Sequence, residues 1–367
     1  MGFYLPCVDW RKQNDEDVTT TCFGLCDENS IRELPFIQNQ DLTIEDGDDT
    51  DDVAIVPVVN QPLSLNRYYV VVKQGKHKGE AWTNSRGEDM GTNFFGGRYV
   101  KDVKPKPLDP SDLSQQVEII PKKPYCFSAK AVTSDGFPPG FLRNKNWHVN
   151  MSTPRHYRLN EALGLNSSLR AHFPNFDFPL LNGCSASVIV GKWYFPFMFV
   201  KEATLNLKDQ MKKSMFYEMT LEQRWEKIFS CDNDNNNEKN VVFVDVDVQT
   251  EKVYVAGREA VLNEREVSSN GVLEWFMSFD GAGNDSRVGV SMLVVERIKW
   301  EEERVGWLGW EERKMEVEKN EEYGGISRWT KFACFVLVER FVLKRMYGSA
   351  VLIYEFKHTH NIKSKWE

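Results

Sequence analysis

The chain has 367 residues, of which 41% are hydrophobic and 27% are charged, and its formal net charge is −8. This composition is typical of a soluble globular protein, and the length predicts two domains. Residues 1–60 hold 14 acidic and 3 basic side chains, which leaves the rest of the chain close to neutral. We therefore expect no nucleic-acid partner, because no basic stripe is available for phosphates.

The sequence also lacks the common targeting signals. No run of ~18 apolar residues predicts a transmembrane segment, and the first residues have neither the basic nor the apolar region of a signal peptide. Gly2 does not begin a myristoylation motif, because Pro6 stands where serine or threonine is needed. Seven scattered cysteines predict reduced thiols. We expect a cytoplasmic or nuclear location.

The N-terminal part offers two candidate cation sites, and neither has the required spacing. Cys22 and Cys26 lack two further zinc ligands nearby, so they are interpreted as ordinary thiols. Residues 41–52 are predicted to form an acidic flexible loop. Their order does not match a calcium-binding loop.

The first predicted strands cover 53–59, 66–73 and 80–83. A basic turn connects the second and third of them. Between Gly75 and Gly79 the chain carries Lys76, His77 and Lys78, which could hold an anion. The alternative is a basic hairpin turn, because the segment lacks the Gly-Lys-Ser/Thr of a phosphate-binding loop and a following helix. These three residues remain candidate ligand-binding residues.

Prolines predict a domain boundary at residues 104–124. Proline has no backbone donor and restricts the residue before it, so this stretch is predicted to be a linker. We expect a β-rich N-terminal domain over 1–120 and a larger β-rich domain over 125–367.

An aromatic stripe marks the next predicted strand, at 187–201. Trp193, Phe195, Phe197 and Phe199 share one face at a period of two. Such a stripe is typical of a core. If it is exposed, Trp193 and Phe195 are candidate ligand-stacking residues.

Residues 207–229 are predicted to be helical. Met211, Met215 and Met219 follow at helical spacing. The segment Thr220-Leu-Glu-Gln223 matches a capping box that would restart the helix. Helices are therefore expected near 207–230, with the methionines in the core.

The remaining chain is dominated by strand patterns. Residues 241–248 are predicted to pair with 252–256, leaving Asp245 and Asp247 on one face as a solvated face or a carboxylate pair. Residues 288–300 and 332–346 are predicted as two similar long strands. Both contain Val-Glu-Arg within an apolar run, at positions 295–297 and 338–340.

A closing hairpin is predicted over 332–360, with its turn at Gly348. Its first strand is apolar on both faces, so it is expected to be central in its sheet and covered on both sides. His358 and His360 share one face of the second strand and are candidate metal ligands, although no third ligand is evident. No catalytic or dinucleotide-binding motif occurs. No catalytic residue is nominated and no cofactor is expected.

Several segments together resemble a plant family catalogued as domain of unknown function 1262. The resemblance runs from about residue 22 to the end of the chain. It implies a plant source and brings no reaction, substrate or catalytic residue. The segments are VVNQPLSLNRYY (58–69), QGKHKGE (74–80), VKDVKPKP (100–107), SDGFPP (134–139), MFYEMTLEQRW (215–225) and LVERFVLKR (337–345).

The sequence thus predicts an α+β protein, predominantly antiparallel β-sheet with long strands and a short helical insert. The leading functional hypothesis is a non-catalytic intracellular protein that binds another protein or a small molecule. A membrane-acting, pore-forming-like β protein would instead use the two long strands to span a bilayer. An enzyme without a recognisable motif would need a deep pocket with convergent titratable groups. Neither the partner nor the oligomeric state is specified by the sequence.

Overall fold

The structure is a computed structural model, and its described residues fall into two compact units. The first lies within Met1–Glu161, with Phe195–Met198 and Leu205–Phe216 added. The second lies within Ala162–Tyr194, Phe199–Thr204 and Tyr217–Glu367. The described residues are 30–36, 40–46, 49–58, 61–92, 94–143, 146–154, 159, 164–233, 240–262, 273–279, 285–307, 313–326 and 328–367. Cys22 and Cys26 lie outside them.

The first unit is built on an antiparallel sheet. Side chains at alternate positions of a strand point to the same face, and residues such as Leu42 and Ile44 or Tyr68 and Val70 form a core on one face of the sheet. The strands of the first unit are β1 (Asp41–Asp46), β2 (Asp49–Pro57), β3 (Arg67–Val72), β4 (Ala81–Thr83), β5 (Met90–Thr92), β6 (Arg98–Val100), β7 (Val103–Lys106), β8 (Gln116–Lys123), β9 (Cys126–Ala131) and β10 (His148–Ser152). The strand order of the sheet is β10-β1-β2-β3-β4-β7, with β8 pairing both β3 and β9.

Most of the acidic segment 41–52 is strand and not loop. It forms most of the hairpin of β1 and β2, with Thr43 opposite Asp52. Leu42 and Ile44 are buried in the core of the first unit. Two alternating apolar side chains therefore outweighed the acidic composition on which the loop prediction rested.

The proline-rich stretch 104–124 is not a linker, because it contains most of β7 and all of β8. Pro105 lies in β7, which is an edge strand where one side of the backbone needs no donor. Pro121 lies in β8 beside an irregularity in its pairing with β9. The first unit accordingly extends past the predicted boundary at residue 120.

The second unit is built around a long antiparallel sheet. Its strands are β11 (Gly164–Leu165), β12 (Val188–Pro196), β13 (Val200–Glu202), β14 (Phe216–Asp232), β16 (Glu251–Val255), β17 (Arg258–Leu262), β18 (Leu273–Ser278), β19 (Ser286–Ser291), β21 (Lys331–Arg345) and β22 (Ala350–Trp366). They are arranged in the order β11-β12-β14-β21-β22-β16-β17-β18-β19-β13. Separately, β15 (Val241–Gln249) pairs with β20 (Lys314–Glu322). The α-helices of the described chain are α1 (Gly140–Arg143), α2 (Ser167–His172), α3 (Leu207–Lys213) and α4 (Met292–Glu303), and short 3-10 helices lie at Leu63–Leu65, Gly87–Asp89, Leu113–Gln115 and Phe197–Phe199.

The predicted closing hairpin is present as β21 and β22. Phe335 and Leu337 pack on one side of β21 with Trp225. Phe332 and Cys334 pack on the other side in a second core cluster. The strand is thus covered on both faces, as its two apolar faces predicted.

The helical prediction for 207–229 is only partly right. The helix α3 ends at Lys213, and β14 then runs for 17 residues as a partner of β21. A spacing of four residues fits one face of a helix, but it also fits one face of a strand, because four is a multiple of two. The methionine spacing therefore could not decide between them, and pairing with β21 did.

The prediction of a long strand at 288–300 is wrong beyond residue 291. There β19 ends and α4 begins, so Val295-Glu296-Arg297 is helical whereas Val338-Glu339-Arg340 lies in a strand. The buried positions of α4 follow a helical period: Val294, Val295, Ile298, Glu301 and Glu302.

The predicted pairing of 241–248 with 252–256 is also wrong. The strand β15 pairs with β20, while β16 pairs with β17 and β22. Asp245 lies opposite Glu318, and Asp247 lies opposite Glu316. All four side chains are exposed, so this is a solvated acidic face.

The described residues are therefore mostly antiparallel β-sheet with a few short helices. Among them, no helix combines the length and the apolar character that crossing a membrane requires.

We expect Phe335→Ala to lower the free energy of unfolding of the second unit by about 3–5 kcal/mol, because Phe335 is fully buried and its loss leaves a cavity. Phe243→Ala is the control, since Phe243 is largely exposed on β15. Urea unfolding of both variants measures the difference. Equal losses would contradict the packing described for β21.

Candidate functional site

A group of ionisable side chains is buried on one face of the second unit's sheet. It comprises Arg170, Glu301, Glu302, Glu339 and His358, whose exposures range from 0 to 5%. Charged side chains are almost never fully buried unless they are paired. The group is therefore the most unusual chemical feature of the second unit.

Strand register places Glu339 and His358 on the same face. Glu339 on β21 lies opposite Gln223 on β14, and its neighbour Leu337 lies opposite His358 on β22. The pairing of β21 and β22 is irregular at this point, because Val336 lies opposite Ile362. Residues 359–361 thus form a bulge beside the buried charges, and bulges commonly redirect side chains near functional sites.

The helices α2 and α4 bring the remaining charges to this face. The buried stripe of α4 ends with Glu301 and Glu302, one turn beyond Ile298. The N-cap of α2 is Asn166, whose side chain accepts a hydrogen bond of 3.0 Å from the Leu169 amide. One turn later, Arg170 is the buried residue of this short helix.

The Arg170 guanidinium connects the carboxylates. Its Nε donates to Glu339 Oε1 at 2.9 Å, and its Nη2 donates to Glu302 Oε1 at 3.0 Å and to Glu339 Oε2. Gln223 Nε2 also donates to Glu339 Oε1, at 2.6 Å, and to the Arg170 carbonyl at 3.0 Å. Glu339 is therefore held from two sides by charge-assisted hydrogen bonds.

His358 completes the group. Its Nε2 lies 2.9 Å from Glu302 Oε2 and 3.4 Å from Glu339 Oε2. Its Nδ1 is buried and has no hydrogen-bond partner among the described residues. The imidazole is thus bound to the carboxylates through one nitrogen.

The surroundings shift the pKa values of these groups in different directions. Burial opposes ionisation of Glu339, but hydrogen bonds from His358 and Arg170 prevail and hold its pKa well below the usual range. Burial and the negative charge of Glu339 raise the pKa of Glu302, and His358 and Arg170 only partly offset this. Burial would lower the pKa of His358, but its hydrogen bonds to Glu302 and Glu339 raise it to about 9.

Both shifts favour the protonated form, so Glu302 and His358 hold protons more readily than exposed groups of the same kind. Glu302 Oε1 already accepts from Arg170, so the atom facing His358 Nε2 is Oε2. The two groups titrate as a pair, and protonation there reduces the excess of negative charge of the buried group.

A pocket of about 310 Å³ opens beside the buried group. The amide oxygen of Gln223 is buried and has no hydrogen-bond partner among the described residues. Arg170 and Glu339 also contribute to the wall, whereas Glu302 and His358 do not. The lining residues are Leu165, Ser167, Arg170, Ala171, Phe173, Gln223, Glu301, Arg304, Val305, Leu337, Glu339 and Asn361.

Glu302, Glu339 and His358 offer three possible metal ligand atoms within 4.8 Å of one another. Arg170 already contacts both carboxylates, however, and supplies the positive charge that a cation would bring. His360 is not part of this group, although its ring centroid lies 5.4 Å from that of His358. The metal site at His358 and His360 stays a prediction.

The other predicted site residues lie apart from this pocket. Trp193 and Phe195 are 4% and 0% exposed, so the condition for an aromatic platform is not met. Trp193 instead stacks on Phe341, with ring centroids 6.3 Å apart. Their interpretation as ligand-stacking residues is therefore corrected to core.

The basic turn belongs to the first unit. Lys76 is exposed there, and His77 Nδ1 lies 2.6 Å from a carboxylate oxygen of Glu80. Lys78 is half-buried. An anion site at Lys76, His77 and Lys78 stays a prediction.

Sequence reasoning did not nominate Arg170, Gln223, Glu302 or Glu339 as site residues. Two signals were available. The first is that Glu339 interrupts an apolar strand that is buried along nearly its whole length. The second is that Glu301 and Glu302 continue the buried helical stripe of Val294, Val295 and Ile298. Nothing in the sequence points to Arg170.

Comparisons with known proteins leave the activity open. The profile of a family described as "Protein of unknown function (DUF1262)" matches residues 10–95, which is a minority of the chain. No curated protein matches the chain. The crystal structure of Cry35Ab1 is similar at 10% sequence identity and a TM-score of 0.41, with 90% of each chain covered. A likeness at this level supports no conclusion about function.

We expect Arg170→Met to destabilise the second unit by about 3–5 kcal/mol, because it leaves buried carboxylates without their main counter-charge. The double variant Arg170→Met/Glu339→Met should lose less, since it removes both partners. Urea unfolding measures both. Arg304→Met is the control, as Arg304 is largely exposed. If the double variant has a lower free energy of unfolding than the single variant, Arg170 is not the main counter-charge of the buried carboxylates.

The raised pKa of His358 makes stability depend on pH. A folded pKa of about 9 against an ordinary value of 6.5 means that the stabilisation is complete below pH 6.5 and is lost as the pH rises towards 9. The loss is on the order of 3 kcal/mol. The pH dependence of the wild type is compared with that of the variant Glu302→Gln/His358→Gln, which lacks both titrating side chains. If the unfolding free energies of the two proteins change by the same amount between pH 6 and pH 9, the prediction is refuted.

Proposed function

We propose that the protein is a non-catalytic binding protein for a small polar molecule, held in the pocket beside Arg170. The observation that carries this proposal is that Gln223 lines the pocket and has a buried amide oxygen without a hydrogen-bond partner among the described residues. A buried acceptor without a donor costs free energy. A ligand that supplies an N–H or O–H group there would recover it.

The chemistry of the wall restricts the ligand. Leu165, Phe173, Val305 and Leu337 provide apolar surface, so the ligand has an apolar part as well as a donor. The volume of about 310 Å³ is at the lower end of the ~300–1,000 Å³ range of ligand pockets. These properties favour a small metabolite with hydroxyl or amine groups over a nucleotide or a peptide.

The position of the titrating pair favours binding over catalysis. Glu302 and His358 form a hydrogen bond with each other, but neither lines the pocket. A general acid or base must come within hydrogen-bond reach of the reacting atom. Glu339 does line the pocket, but its carboxylate is already bound by Arg170 and Gln223. The same hydrogen bonds hold the floor of the pocket in one arrangement, which reduces the cost of ordering it around a ligand.

Two alternatives keep specific tests. The pocket contains titratable groups, as an enzyme would require, and turnover of the bound molecule would establish that alternative. The pore-forming-like alternative loses one of its two long strands, because α4 is helical from Met292 to Glu303. Dye leakage from lipid vesicles would support it.

We expect native mass spectrometry of the full-length protein to show a bound species of roughly a few hundred daltons, the size that such a pocket accepts. Ala171→Trp should abolish this excess mass. Ala171 is exposed and lines the pocket, so a larger side chain obstructs the site without entering the core.

Leu169→Trp is the matched control, because Leu169 is exposed on the same helix but does not line the pocket. A thermal-shift screen with small hydroxylated and aminated metabolites extends the test to a ligand lost during purification. Stabilisation of the control and the wild type, but not of Ala171→Trp, supports the proposal. Equal responses of all three proteins would refute it.

A further inference from the structure

A short hairpin of the first unit presents two aromatic side chains to solvent. It consists of β5 and β6, which pair with each other and with no other strand of the described residues. At its end, Phe94 and Phe95 are 98% and 92% exposed. Phenylalanine is normally among the most buried residue types, so two neighbouring exposed rings are unusual in a folded protein.

The hairpin has features that keep this end in a defined shape. Gly91 lies opposite Tyr99, and a Cβ at Gly91 would come within 2.7 Å of the Tyr99 ring. The ring therefore packs over the glycine backbone. Gly96 has a φ of +78°, which other residues rarely adopt, and lets the chain turn after the two phenylalanines. The rings of Phe94 and Phe95 contact each other edge to face, with centroids 5.7 Å apart.

The base of the hairpin carries an excess of positive charge. Arg86, Arg98 and Lys101 are exposed, and none forms an ion pair with another described residue. Nearby Asp102 is paired with Arg143, and Glu88 and Asp89 offset two of the three positive charges, so the excess is one charge. Arg98 is three residues from Phe95, so at most about 10 Å of chain separates them.

We propose that this hairpin docks on the surface of an anionic phospholipid bilayer. Phe94 and Phe95 enter the boundary between headgroups and acyl chains, while Arg98 and Lys101 contact the anionic headgroups. Apolar contact and attraction to anionic lipids are the two contributions that retain interfacial segments on membranes. The hairpin lies on the membrane and does not cross it.

The exposed area favours a membrane over a protein partner. Two phenylalanine side chains offer about 300–500 Å², whereas a stable protein interface buries about 800 Å² per partner. A narrow protrusion with two apolar rings at its end needs no complementary groove in a fluid bilayer. Binding through one such hairpin is weak and reversible, as for a single lipid anchor. This site is independent of the pocket in the second unit.

The test is flotation of the full-length protein with vesicles of phosphatidylcholine alone or mixed with phosphatidylserine. We expect binding to the mixed vesicles that is stronger than binding to phosphatidylcholine. Phe94→Ser/Phe95→Ser should weaken it at least about tenfold, because both apolar contacts are lost. Arg98→Gln/Lys101→Gln should weaken binding roughly tenfold on the mixed vesicles and little on phosphatidylcholine.

Leu181→Ser is the matched control, because Leu181 is an exposed apolar residue of the second unit. Its vesicle binding should equal that of the wild type. All substituted side chains are exposed, so thermal unfolding should be unchanged and loss of binding cannot be ascribed to misfolding. Failure of the wild type to bind, binding that ignores lipid charge, or binding that survives Phe94→Ser/Phe95→Ser would overturn the proposal. Capture of a protein by the wild type, with no vesicle binding, would assign the hairpin to a protein partner instead.

Discussion

The carboxylate of Glu339 lies in the most completely buried strand of the second unit, and its charge must be met there. Arg170 meets it, with Gln223 as a second donor. Removing one partner of such a buried ion pair lowers the free energy of unfolding by much more than the pair itself contributes to it, because the other charge is left buried and uncompensated. The short helix α2 and the last turn of α4 are therefore constrained to lie over this part of the sheet, since they supply Arg170, Glu301 and Glu302.

The same constraint produces the pocket. Side chains that are committed to one another cannot fill the space beside them as a hydrocarbon core would, and the bulge at residues 359–361 adds irregularity there. The result is a cavity with a rigid polar floor and an apolar wall. Stability and the proposed recognition of a ligand thus depend on the same hydrogen bonds. The exposed rings of the first unit show the opposite arrangement, in which apolar groups face the solvent.

The errors of sequence interpretation have physical origins that differ between segments. Periodicity distinguishes helix from strand only where the two patterns differ, and Met211, Met215 and Met219 fit both. In α4, the apolar run 288–300 resembled a strand because the polar members of its buried stripe, Glu301 and Glu302, lay beyond the run. In 41–52, acidic composition concealed the alternation of Leu42 and Ile44. Tertiary pairing with β21 decided the outcome for β14, whereas in α4 and 41–52 the deciding pattern was present in the sequence but was concealed by composition or by where the apolar run ended.

The sequence by itself determined the predominance of antiparallel sheet, the closing hairpin and the double burial of β21, because alternation and a glycine turn act over a few residues. It also determined that His358 would point to the same side as its strand neighbours at a spacing of two. Only the tertiary structure decided what His358 would meet. Arg170 and Glu339 are 169 residues apart, and Glu302 is 56 residues from His358. The buried site therefore exists only after four separate elements have packed together, and no local pattern encodes it.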